Sequence, residues 1–271
     1  MSRTFPALVL SFLIPCAALS QISGGKDYAL GGSSVMWYPR PSALYRNPAE
    51  LARVHQCEFF LSTNRWSNLS SMTGTYFEPF VGTFAAGIAR FGPSTQYTLG
   101  YSRIILNQHG AGFAVNVNPD VAPSLSLALG VSAHFADSVS QNSGFHAGLG
   151  ITSLGPNALP EQLGLSAGAA YWIKREAVRV QGSFLQSTKV LSVVGIEVFP
   201  LRWFSVQLST QSFEKIFGGI SVPFQYFQAE FAAGKEGVSL SFNFRISDPA
   251  IEQRKRYFDS GMEALRDQRY H

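Results

Sequence analysis

Charge is scarce in this chain. Asp, Glu, Lys and Arg make up 14% of 271 residues, against roughly a quarter in an ordinary soluble domain. Long apolar runs are also missing. Beyond the first twenty residues no stretch approaches the ~20 consecutive apolar side chains of a membrane-spanning helix. Apolar content as a whole is nevertheless ordinary, at 46%. A chain too sparsely charged for a soluble surface, and without spanning helices, points to a membrane protein made of strands. Lipid offers the backbone no hydrogen bonds, so those strands must close into a barrel. Cysteine is scarce too. Of Cys16 and Cys57, the first falls in the leader described below, and a single remaining thiol excludes an internal disulfide. Basic residues do not cluster: the net charge of +4 is spread thinly and Arg254-Lys255-Arg256 is the one basic run, which argues against a nucleic-acid partner. There is no phosphate loop, dinucleotide fingerprint or paired-carboxylate motif, so neither a cofactor nor an enzyme is expected.

What is present is alternation. In residues 124–135, Leu125, Leu127, Leu129, Val131, Ala133 and Phe135 share one face of an extended chain. Ser124, Ser126, Ala128, Gly130, Ser132 and His134 share the other. The run is longer than the 5–6 residues of a typical strand, greasy on one side and small and polar on the other. Comparable segments recur at 56–63, 71–78, 81–90, 95–106, 110–118, 122–136, 144–153, 162–174, 177–186, 190–199, 203–210, 214–222, 225–233 and 237–246. Near the end, Val238, Leu240, Phe242, Phe244 and Ile246 alternate with Ser239, Ser241, Asn243 and Arg245. Breakers such as Asn118-Pro119-Asp120 and Gly155-Pro156-Asn157 separate the segments. The fold class is therefore all-β, a transmembrane antiparallel barrel of about 14 strands. Aromatics near strand ends, as in Trp203-Phe204 and Phe224, Tyr226 and Phe227, fit interfacial girdles.

Four regions follow. Residues 1–20 read as a signal peptide: Arg3, then an apolar run from Ala7 to Leu19, then the small-x-small site Ala18-Leu19-Ser20. Residues 21–55 are rich in glycine and proline and do not alternate. Within them Asn47 is placed to cap a short helix with Pro48 in its first position. A segment this apolar and irregular needs shelter, so it is expected inside the barrel as a plug or lining. Residues 56–246 are the barrel. Residues 247–271 change to helical spacing after Ser247-Asp248-Pro249. Tyr257-Phe258, Gly261, Ala264-Leu265 and Tyr270 look like the first helix of a tetratricopeptide-type hairpin, expected on the periplasmic side and in want of a protein partner.

Gly31-Gly32 followed by Leu44-Tyr45-Arg46-Asn47-Pro48-Ala49-Glu50-Leu51-Ala52 resembles the N-terminal signature of FadL-like outer-membrane barrels, a group that includes long-chain fatty-acid transporters and the PorV/PorQ barrels of type IX secretion. Asn47, Pro48, Ala49 and Leu51 match the motif, which lies in the plug of the transporters. Glu50 stands where the family usually has glycine. The segments Val194-Gly195-Ile196-Glu197-Val198, Gly218-Gly219-Ile220 and Ser239 to Arg245 look more like the PorV/PorQ group. That resemblance implies a bacterial outer-membrane protein acting in secretion, or as a scaffold for periplasmic or exported partners reached through the C-terminal helix. The alternative it implies is uptake of a hydrophobic small molecule. Outer-membrane lipid is a partner in either case.

Candidate lumen residues are His134, His146, Arg179, Glu197 and Arg245, with Lys174 and Glu230 on the same face of their strands. His134 and His146 fall on neighbouring strands, but two histidines alone make no closed metal site. Gly164-Leu165-Ser166-Ala167-Gly168 matches the G-x-S-x-G elbow of hydrolases. Its position inside a well-alternating strand argues against the sharp turn that such a nucleophile needs.

Overall fold

The structure is a computed structural model that describes residues 29, 40–64, 69–105, 109–120, 124–136, 144–154, 164–173, 178–186, 190–201, 203–235 and 237–246. The signal peptide expected at 1–20 and the helix expected at 247–271 lie outside the described residues, as does Lys174.

Fourteen strands close into one antiparallel barrel, each paired with its sequence neighbours and β1 with β14. They are β1 (Cys57–Asn64), β2 (Leu69–Glu78), β3 (Gly82–Phe91), β4 (Ser94–Ile105), β5 (His109–Val117), β6 (Leu125–Ala136), β7 (Gly144–Leu154), β8 (Gly164–Ile173), β9 (Val178–Gln186), β10 (Val190–Leu201), β11 (Phe204–Gln211), β12 (Lys215–Pro223), β13 (Phe227–Gly234) and β14 (Gly237–Ile246). Every strand predicted from alternation is present, with ends moved by a few residues. β1 begins at Cys57 and β14 ends at its partner Ile246, so the wall starts and finishes at one end of the barrel, here the terminal end. The opposite end is the far end.

The alternation sorts as expected. On β6, Leu125, Leu129, Val131 and Phe135 are exposed on the outside, while Ser126, Ala128 and Ser132 are buried on the inside. On β8, Leu165, Tyr171 and Ile173 face out while Ser166, Ala170 and Trp172 are buried. Among the described strands, the charged residues at outward positions are Glu78, Arg90 and Arg103, all within three residues of a strand end. An arginine or lysine facing lipid at mid-depth costs about 2–4 kcal/mol, and near the interface about 0–1. The placement follows that gradient.

Outward aromatics line up between strands towards the terminal end. Tyr76, Phe84, Tyr101 and Phe113 are successive cross-strand partners on β2 to β5. Phe135, Phe145 and Tyr171 continue the pattern on β6 to β8, and Phe227, Phe244 and Phe59 on β13, β14 and β1. Ring centroids lie 5.1 Å apart for Phe84 and Tyr101 and 5.9 Å for Tyr101 and Phe113. The Tyr101 hydroxyl donates to Val81 O at 2.7 Å. An apolar body with a polar tip belongs at such a boundary.

The β11–β12 turn carries Ser212 and Phe213 at positive φ, 49° and 58°. Two such residues in succession give the twist that a tight hairpin requires.

Candidate functional site

Small and polar side chains line much of the barrel interior, with larger ones such as Phe60, Trp172 and Phe217 among them, and residues 40–54 lie against this wall. Two 3-10 turns form this inner segment, Pro41–Tyr45 and Pro48–Arg53. Asn47 caps the second, its Oδ1 accepting from Ala49 N at 3.2 Å, with Pro48 at the first helical position. The expected short helix is thus a 3-10 turn, a form common in short pieces. Pro48, Ala49, Glu50, Leu51 and Ala52 are all buried.

Glycine makes room for it. Gly112 on β5, Gly130 on β6 and Gly150 on β7 are successive cross-strand partners, all facing inward. A Cβ on Gly112 would stand 2.6 Å from Pro48 O, one on Gly130 3.1 Å from Ala49 N, and one on Gly150 3.2 Å from Arg46 O. Gly110 is similar, 2.8 Å from Ala49 O. Gly87 and Gly100 accept Tyr45 and Leu44 in the same way. The inner segment therefore presses its backbone directly onto the wall.

Hydrogen bonds hold it there. Ser102 Oγ donates to Ala49 O at 3.1 Å, and Thr83 Oγ1 donates to Val54 O at 3.1 Å. Thr73 Oγ1 donates to the Tyr45 hydroxyl at 3.1 Å. Tyr45 belongs to the inner segment and not to a spanning strand. Burial pushes its phenol up to about 12, with the Thr73 hydrogen bond acting the other way, so it stays neutral. Glu50 Oε1 lies 2.8 Å from His146 Nε2 on β7, both side chains buried. Across the lumen, Arg40 is ion-paired with Glu230 on β13, which also accepts from Ser241 Oγ at 2.8 Å. Ala29 sits against Gly219 on β12 and accepts from Ser209 Oγ on β11 at 2.8 Å. The chain thus touches opposite walls. Leu44, Leu51 and Val54 meet Ala85, Ala114 and Ala128 in an apolar cluster.

The sequence-based candidates fall as follows. Asn47, Pro48, Ala49 and Leu51 come together against β4 to β6. His134 and His146 are direct cross-strand partners, with ring centroids 5.6 Å apart. His134 stacks on Trp172 at 4.8 Å, while His146 meets Glu50. Among the described residues no group of three or more His, Cys, Asp or Glu is arranged to hold a metal. Arg179 and Glu197 are cross-strand partners on β9 and β10, 3.5 Å apart, with Gln207 Nε2 donating to Glu197 at 3.0 Å and the guanidinium 4.9 Å from the Phe199 ring. Arg245 keeps inward parity as the next-to-last residue of β14, where it is exposed at the rim. Alternation fixes which face a residue shares, not its depth. Ser166 lies in straight β8 and donates to Gly150 O at 3.2 Å, so the elbow geometry is absent. Sequence reasoning missed the roles of Glu50, Ser102 and Thr83, and the glycine row. The available signal was glycine on the inward parity of three consecutive strands.

No family model and no curated protein matches this sequence. Among solved structures, the chain is similar to the Acinetobacter baumannii outer membrane protein Omp33, at 14% identity and a TM-score of 0.49, covering 70% of this chain and 98% of that one. It is also similar to the KdgM porin in complex with disordered oligogalacturonate, at 8% and 0.40, covering 71% and 99%. A mutant Rh. blastica porin matches at 8% and 0.36, covering 70% and 98%. The wall itself decides the setting. A closed ring without free edges, apolar outside, polar inside and with its outward charges at the strand ends, is built for lipid.

The protein is a transmembrane β-barrel.

Proposed function

We propose that this barrel works with its lumen occupied by its own N-terminal segment, as a membrane-embedded scaffold for exported or periplasmic proteins in the manner of the PorV/PorQ group. The observation that carries the reading is the fit of residues 40–54 to the wall. Backbone lies on the Gly112–Gly130–Gly150 row, and polar anchors run to β2, β3, β4, β7 and β13. A segment packed this way acts as a plug and opposes free diffusion of solutes. Partner binding through residues 247–271 belongs to the same proposal.

Planar-bilayer recording of the full-length protein, beside a variant lacking residues 40–54, tests it. A silent parent and a conducting variant support the reading. A large steady conductance from the parent overturns it. Uptake of a hydrophobic small molecule is the second reading, and the apolar cluster around Leu44, Leu51 and Val54 favours it. It requires an apolar ligand to be retained on purification and lost when Leu51 is made polar. The scaffold requires instead a stoichiometric protein partner that is lost with residues 247–271.

A further inference from the structure

The outward face of β1 to β4 carries a feature that the lumen does not explain. Near the far end, Thr63, Ser70, Arg90 and Thr95 are successive cross-strand partners on β1, β2, β3 and β4. All four have outward parity, so one cation and three hydroxyls form a polar row on the surface that meets lipid. The next outward row towards mid-membrane is Leu61, Met72, Ile88 and Tyr97, all exposed. The row beyond that is Phe59, Gly74, Ala86 and Leu99. There the two central positions are small between two large ones, which leaves a slot. Grooves in the outer surface follow this relief, one beneath Arg90 between Leu61, Met72, Ile88 and Leu240, the next over Gly74 and Ala86. They share Met72 and Ile88, so they run on from one another.

We propose that this face binds one membrane lipid with a phosphate-bearing anionic headgroup. Its phosphate sits at Arg90 and the neighbouring hydroxyls, and an acyl chain lies over Met72 and Ile88 into the Gly74–Ala86 slot. Charge complementarity names the occupant. Arg90 Nε donates to Gly92 O at 3.2 Å, which fixes the guanidinium and leaves its two terminal nitrogens for an acceptor outside the wall. The acid in contact with this row, Asp120, accepts from the backbone N–H of Thr95 at 3.2 Å, and among the described residues no ion pair joins it to Arg90. Planar guanidinium matches phosphate geometry in two places at once. Arg90 is the next-to-last residue of β3, the depth at which a headgroup meets its acyl chains.

Native mass spectrometry of the full-length barrel in detergent, titrated with phosphatidylglycerol or phosphatidylcholine, tests the site. The parent is expected to retain one phosphatidylglycerol in preference to phosphatidylcholine. Arg90→Gln should lower phosphatidylglycerol retention about tenfold, the loss of one charge-assisted hydrogen-bonding group. Ala86→Phe, filling the slot, should lower retention of both lipids, and Arg103→Gln at the terminal end should change neither. Equal retention of the two lipids by the parent, an unaffected Arg90→Gln protein, or an equal loss in Arg103→Gln overturns the proposal. Heat-modifiable migration reports folding. If Arg90→Gln fails to fold, the lipid preference of the parent and the Ala86→Phe result decide.

Discussion

Glu50 Oε1 on the inner segment lies 2.8 Å from His146 Nε2 on the wall. Glu50 is the residue that departs from the glycine usual in FadL-like signatures, and His146 is one of two histidines on the small polar face of their strands. A carboxylate buried without a donor is costly, so the departure and the histidine account for each other. Removing either partner should destabilise the folded protein by about 2–3 kcal/mol, the scale of a hydrogen bond to a charged group. Urea unfolding in lipid vesicles measures it. In a double-mutant cycle with Glu50→Ala and His146→Ala, the second substitution should cost clearly less than it does alone; strict additivity would mean that the contact is energetically idle.

The glycine row makes a steric prediction. Gly112→Ala places a methyl group 2.6 Å from Pro48 O, and neither backbone can yield cheaply. Overpacking of this kind costs about 1–3 kcal/mol. Because it falls on the contact between segment and wall, it should loosen residues 40–54 while leaving the strands paired. Faster protease cleavage within 40–54, with unchanged heat-modifiable migration, is the expected result. Gly182, whose added Cβ comes no closer than 3.9 Å to other atoms, should accept alanine with no effect on that cleavage.

The outer wall predicts a depth dependence. Leu129 is an outward residue in the middle of β6, and Leu125 opens the same strand on the same face. Leu129→Arg should cost about 2–4 kcal/mol and Leu125→Arg no more than about 1. Unfolding titrations in vesicles compare them directly. Equal costs would show that β6 does not cross the hydrocarbon layer.

Ser166 tests the hydrolase motif. Its hydroxyl donates to Gly150 O, so Ser166→Ala should cost about 1 kcal/mol. It should leave unchanged any background turnover of a chromogenic ester by the purified protein. A serine-dependent activity that vanished with this substitution would contradict the strand geometry.

Much of the fold was legible because a period of two is a local property. The parity of Leu125, Leu129 and Phe135 against Ser126 and Ser132 fixed the two faces of β6 before any contact was known, and the same reading placed all fourteen strands. Asn47 and Pro48 announced their turn through capping chemistry, which is also local. Arg245 shows the limit. Its inward parity was legible and its place at the rim was not, because alternation carries no information on where a strand meets the rim.

The sequence by itself determined that the chain builds strands with one face for hydrocarbon and one for a small polar interior. Only the tertiary structure decided which residues became neighbours around the ring. A slip of two residues between adjacent strands leaves every side chain on its proper face, so nothing local could say that Gly112, Gly130 and Gly150 form one row, or Thr63, Ser70, Arg90 and Thr95 another. In the closed ring, the observed register sets glycine beneath Pro48 and Ala49 and a histidine beside Glu50.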